Sequence, residues 1–192
     1  TAYGRSKWSA EQAATSAAGR VPVTIVRPPM IYGPGDREVL AFFRAVRWRL
    51  VPLTGHPQSL LSAIFVEDCA DACIAALAGD LPSGSCFSVD DGQPEPLLAR
   101  LRDIERAVGR PALATVRVPP TLLRVGALLS EWAGHLTGRS VMLTRDKVHE
   151  LTAPHWVGES APARAALQWS PRTSFADGAH RTAAWYRRVG WL

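Results

Sequence analysis

The chain has 192 residues, 47% of them hydrophobic, and a formal charge of +5, which suits one substantial globular domain or two small lobes. Its basic residues are scattered, with no run of about five like charges, so the charge argues for phosphate-bearing small molecules as readily as for nucleic acid, and no nucleic-acid partner is expected. Three cysteines do not make a disulfide scaffold, and no secretory signal or apolar stretch of about 18 residues marks a membrane span.

Residues 7–19 are alanine-rich and free of proline, which predicts a helix stopped at Gly19. Val21–Val26 is a β-branched run, read as a buried strand. Arg27 to Asp36 follows as a rigid Pro/Gly loop, at the place where open α/β sheets hold ligands. Residues 37–48 read as helix, and Val51–Leu53 and Ser62–Val66 as short strands. Glu67–Ala78 is a helix with Cys69 and Cys73 one turn apart, both expected to be small buried hydrophobes in a reducing, cytoplasmic compartment. Cys86–Val89 is a strand between two turns.

Pro96–Val108 reads as a helix ended by Gly109 and Pro111, and Thr115–Val118 as a strand. Pro119 and Pro120 then lead into a strongly apolar helix at Thr121–Leu136. Thr144–Leu151 and Ser160–Leu167 are short helices, with Thr144 and Ser160 as expected caps. Ser174–Arg188 is the last helix. Strands alternating with helices predict an α/β fold. Strands become sparse in the second half, which predicts a mostly helical lobe on a sheet edge.

The residues with chemical potential begin at Tyr3 and Lys7. Four residues apart on a helix, the phenol and the ammonium share a face. A nearby ammonium favours the phenolate, which suits the tyrosine to proton transfer near neutral pH. The alternative is a surface helix with a snorkelling lysine. The five histidines show no metal-ligand spacing, so no metal is expected. The tryptophans of the tail read as core packing.

Tyr3-Gly4-Arg5-Ser6-Lys7, the Arg27–Asp36 loop, Phe65-Val66-Glu67-Asp68, Trp169-Ser170-Pro171 and Ser174 to Gly178 occur in an order and spacing that resemble the extended short-chain dehydrogenase/reductase family, also called the NAD-dependent epimerase/dehydratase family. The resemblance implies that Tyr3 is the acid/base, and that Lys7 holds both Tyr3 and the nicotinamide ribose. It further implies that Pro28, Pro29 and Met30 line the nicotinamide end of an NAD or NADP cleft. Met30, Tyr32 and Arg139 are the candidate substrate contacts, and Asp68 is expected to fix the lobe hinge through hydrogen bonds. The apolar Pro28-Pro29-Met30 run resembles members acting on a secondary alcohol or ketone with a steroid- or flavonoid-like body. A nucleotide-sugar epimerase or dehydratase is the alternative, and a non-catalytic nucleotide-binding or remnant protein a further one.

The family's Ser/Thr partner and Gly-rich turn match no residues here. The chain is therefore expected to be the C-terminal portion of a Rossmann-like domain lacking the cofactor-binding half, and inactive by itself. Residues 1–95 are expected to hold the end of that domain with interleaved substrate-lobe segments, and residues 96–192 mainly the substrate-binding helical lobe. The helix at 7–19 is a candidate homodimer surface of the intact protein.

Overall fold

The structure, a computed structural model, describes residues 1–138, 141 and 143–192. The elements run α1 (Ala2–Ala17), β1 (Thr24–Arg27), β2 (Met30–Tyr32), α2 (Leu40–Arg47), β3 (Leu50–Leu53), β4 (Leu60–Leu61), β5 (Ala63–Phe65) and α3 (Val66–Ala78). There follow β6 (Ser85–Ser88), β7 (Glu95–Pro96), α4 (Leu97–Val108), β8 (Ala114–Arg117), α5 (Pro120–Thr137), α6 (Arg145–Leu151), α7 (Ala161–Leu167) and α8 (Phe175–Arg188).

Three strand pairs are parallel: β1 with β6, β2 with β5, and β3 with β8. Parallel neighbours need crossover connections, and α3 supplies one between the β2–β5 and β1–β6 ladders. The short β4–β7 pair is antiparallel. The α/β class holds. The sparse-strand expectation is corrected, because parallel pairing recurs from Thr24 to Arg117 and ties β8 in the second half back to β3 in the first. Helices fill the chain beyond Arg117 among the described residues.

β5 explains where the core sits. All three of its residues are fully buried, and successive side chains of a strand point to opposite faces. Ala63 and Phe65 join a core with Phe43 and Val46 of α2, Leu101 and Ile104 of α4, and Ala179 and Tyr186 of α8. Ile64 points the other way, into a second core with Ala72 of α3, Val89, and Ala163 and Leu167 of α7. Trp169 belongs to that second core, whereas Trp156 stays half exposed.

Several local readings change. The first helix starts at Ala2, not at residue 7, because the Thr1 hydroxyl accepts the Gly4 amide at 3.0 Å. Thr144 caps α6 as expected, accepting from the Lys147 amide. Ser160 does not cap α7; its hydroxyl donates to the buried Asp90 carboxylate instead. Cys69 is buried, but Cys73 faces outward one turn later. Gly109 ends α4 in the left-handed conformation, at φ 71°, which a glycine adopts without steric cost.

Candidate active site

Tyr3 and Lys7 lie in the first two turns of α1, a helix with no buried residue. Tyr3 is 63% exposed. The Lys7 ammonium sits over the Tyr3 ring, 5.5 Å from its centroid, within the range of a cation–π contact. Glu11 continues this stripe at i+8. Successive steps of four drift by about 40°, so Tyr3, Lys7 and Glu11 lie within an arc of about 80°.

The stripe is held at both ends. The Ala2 amide donates to Asp146 of α6 at 2.6 Å. Arg27, the last residue of β1, donates through Nε to Glu11 at 2.9 Å and through a second nitrogen to the same carboxylate. This hydrogen bonding holds the Glu11 carboxyl below its ordinary value. Pro28 is the next residue after Arg27. The Tyr3–Lys7–Glu11 stripe is thereby tied to the C-terminal end of β1, where open α/β sheets hold ligands.

Pro28 and Pro29 are half-buried between β1 and β2. The expected loop contains a strand, for Met30 starts β2 and pairs with Ala63. Met30 is half-buried and packs its inner side on the first core. Tyr32, expected at the substrate, is instead inside that core. Its ring lies 5.6 Å from Phe65 and 4.6 Å from Phe175, and its hydroxyl meets the Ser174 and Phe175 carbonyls at 3.4 Å. Burial pushes its phenol well above the ordinary range, so it stays protonated. Arg139 lies outside the described residues.

Gly33 shapes the turn after β2. It adopts φ 153°, and a Cβ there would stand 2.5 Å from Val66 Cγ1. The turn can therefore lie against the start of α3 only without a side chain. Beyond it Asp36 accepts the Glu38 amide at 2.7 Å, and Glu38 pairs with Lys147 of α6 at 2.9 Å. Thus α6 reaches α1 through Asp146 and the loop through Lys147. Behind this, buried Asp68 of α3 accepts the Arg172 and Thr173 amides, both at 3.0 Å, and fixes the entry to α8.

The sequence reading missed Glu11 and Asp146. Glu11 was detectable as the i+8 extension of the Tyr3–Lys7 spacing. Asp146 had no local signal, because its partner is far away in sequence. Among the described residues there is no cluster of three metal-ligating side chains, and no helix is long and apolar enough to cross a membrane.

Residues 1–88 match the model of the NAD dependent epimerase/dehydratase family. The chain is 32% identical to the ceramide reductase of Caulobacter vibrioides over 195 residues, covering 99% of this chain and 58% of that protein. It is 27% identical to the 2-alkyl-3-oxoalkanoate reductase of Stenotrophomonas maltophilia over 190 residues, covering 95% and 57%. The dTDP-glucose 4,6-dehydratase of Bacillus anthracis, solved in complex with NAD, overlays with a TM-score of 0.71 at 16% identity, covering 100% of this chain and 54% of that one. The similarity is to enzymes, and the fold is one on which NAD is bound. The overlay corrects the expectation of a truncated back portion of a Rossmann-like domain, since that fold is matched along all of this chain. The chain spans somewhat over half the length of the curated relatives it matches.

Proposed function

We propose that this chain serves an NAD(P)-dependent oxidoreductase of the epimerase/dehydratase type, in which Tyr3 moves the proton and Lys7 stabilises the phenolate. The observation that carries this reading is the Tyr3–Lys7–Glu11 stripe, clamped by Arg27 at the end of β1. The residues present fit the cofactor: α1 offers an exposed phenol and an ammonium, and the segment that follows β1 offers half-buried Pro28, Pro29 and Met30, a polar set and an apolar one. The nicotinamide, when bound, supplies or accepts hydride.

The rest is the work of this chain. The Tyr3 hydroxyl donates its proton to the oxygen of a bound ketone as that oxygen gains negative charge. The phenolate left behind is favoured by the Lys7 ammonium. In the oxidative direction the same phenolate takes the proton of the substrate hydroxyl. Residues 96–192 mainly form the substrate-binding lobe. A homodimer through the exposed face of α1 belongs to the same reading.

The substrate we infer is a ketone or secondary alcohol on an apolar body. Apolar Pro28-Pro29-Met30 supports it, as do the two reductases, whose names denote lipid-like substrates and which align with nearly the whole chain. A second reading, a nucleotide-linked sugar, draws on the family model and on the dehydratase likeness. Adding the full natural protein to NADH or NADPH with long-chain 3-oxo compounds, and separately to dTDP- and UDP-hexoses, separates the two. Oxidation of the reduced nicotinamide with the ketones alone supports the first. Conversion of the sugars alone replaces it with the second. Cofactor binding with neither reaction replaces both with a non-catalytic binding protein.

A further inference from the structure

The strand β8 has β3 on one side and, among the described residues, no strand on the other. All of its residues are exposed. The pairing runs past both ends of the strand, because Leu113 donates to the Arg49 carbonyl and Val118 to the Leu53 carbonyl, both at 2.9 Å. Leu113 to Val118 is thus one continuous edge, rich in apolar and β-branched residues and free of proline. Such an edge presents unpaired N–H and C=O groups to any strand that approaches it.

A groove lies along this edge. The helix α4 packs with β3, whose Val51 and Leu53 are buried in the first core with Leu101 and Ile104, but it leaves β8 bare. Between them opens a cavity of about 390 Å³, lined by Leu98, Arg102 and Arg106 of α4 and by Ala112, Leu113 and Thr115. The charge around it is one-sided. Arg47, Arg49, Arg102, Arg110 and Arg117 are exposed, and among the described residues none is paired with a carboxylate. Arg49 donates to the Pro111 carbonyl at 3.1 Å and Arg110 reaches the Arg47 carbonyl at 3.5 Å, which gathers them where the chain enters β8. Asp103 neutralises Arg106. Against the five unpaired arginines stands Glu105, half-buried, its carboxylate accepting the Ala112 amide at 2.7 Å. Five against one leaves a surplus of four, most of the formal +5 of the whole chain.

We propose that β8 takes an extended acidic segment of a partner protein as an added strand. The free edge supplies the main-chain hydrogen bonds, and the groove beside it receives alternate side chains of the added strand, which point to one face. The unpaired arginines select aspartate and glutamate in that segment. A second copy of this chain is the wrong occupant, since β8 paired with itself sets the arginines of both copies against each other. A lipid surface offers the edge no strand to pair with. None of these residues belongs to the Tyr3–Lys7–Glu11 stripe, so the segment binds without substrate or cofactor.

The test is fluorescence anisotropy of labelled peptides of about eight residues, an ordinary strand length, titrated with the full natural protein. One peptide alternates Glu and Val, the other Lys and Val. The expected result is binding of the Glu–Val peptide alone, weakened by salt and about fivefold weaker in Arg102→Gln/Arg117→Gln. Both arginines are exposed and unpaired, so this variant folds, and circular dichroism is recorded alongside. Arg20→Gln/Arg124→Gln removes the same charge elsewhere and should bind like wild type. N-methylation of every second amide of the peptide should abolish binding in one of its two registers, because only one edge of the added strand faces β8. No binding of the Glu–Val peptide overturns the proposal. Equal weakening in the two double variants, or unchanged binding of both N-methylated peptides, overturns it by reducing the attraction to net charge. Tighter binding of a DNA duplex than of the peptide overturns it in favour of nucleic acid.

Discussion

Arg27 at the end of β1 grips Glu11 in the middle of α1, and this pair orients the helix that carries Tyr3. Glu11 lies two turns, about 12 Å, beyond Tyr3 along the helix axis. A tilt of α1 pivoted at Glu11 therefore moves the Tyr3 hydroxyl relative to the end of β1. The pair is half exposed on the arginine side, so its contribution to stability is small.

Replacing Glu11 by Gln should lower stability by less than about 1 kcal/mol and lower kcat much more than it raises KM. The pH dependence has a definite sign. Arg27 holds the Glu11 carboxyl below its ordinary value, so the stabilisation is complete above that ordinary value and is lost as pH falls through the depressed one. Thermal melts of the wild type and Glu11→Gln should differ at neutral pH and converge in strong acid. An equal difference at both ends would show that the pair does not carry it.

Tyr3→Phe should leave the fold intact, because the residue is 63% exposed. Turnover of the full natural protein should fall by a factor of about 100 to 10,000, the ordinary worth of a positioned acid/base group. A rate near that of wild type would remove Tyr3 from the chemistry.

Gly178 of α8 faces Tyr32 so closely that an added Cβ would stand 2.3 Å from its hydroxyl and 2.9 Å from its ring and from Phe65. Both rings are buried and have no room to retreat. Gly178→Ala should therefore destabilise the fold by more than about 2 kcal/mol, despite alanine's better helix propensity. Denaturant unfolding checks the sign, and a stabilised variant would contradict the close packing.

Asp68→Ala should cost about 2 to 4 kcal/mol, because two backbone amides at the entry to α8 lose a charged acceptor. Asp68→Asn should recover only part of this, since its amide group presents donors to at least one donor. Equal stability of the two variants in denaturant titrations would argue against the two-amide arrangement.

The elements that the chain announces locally were legible in it. Thr144 and Ser174 hold side-chain oxygens within reach of the third amide beyond them, and both cap their helices. Gly109 ends α4 because only a left-handed residue closes that turn. The Tyr3–Lys7 spacing is a property of one helix and needs no partner.

What stayed hidden depends on groups distant in sequence. β2 runs through a Pro/Gly segment and is a strand because Ala63–Phe65 pairs with it. Ser160 has the chemistry of a cap, but Asp90, seventy residues earlier, takes its hydroxyl. Tyr32 has the chemistry of a substrate contact, and Phe65 and Phe175 enclose it. A side chain's intrinsic chemistry and its spacing along one helix are carried by the sequence itself. Whether a side chain faces substrate, core or solvent is decided when distant segments compete for it, since burial and hydrogen bonding depend on neighbours that only the folded chain brings together.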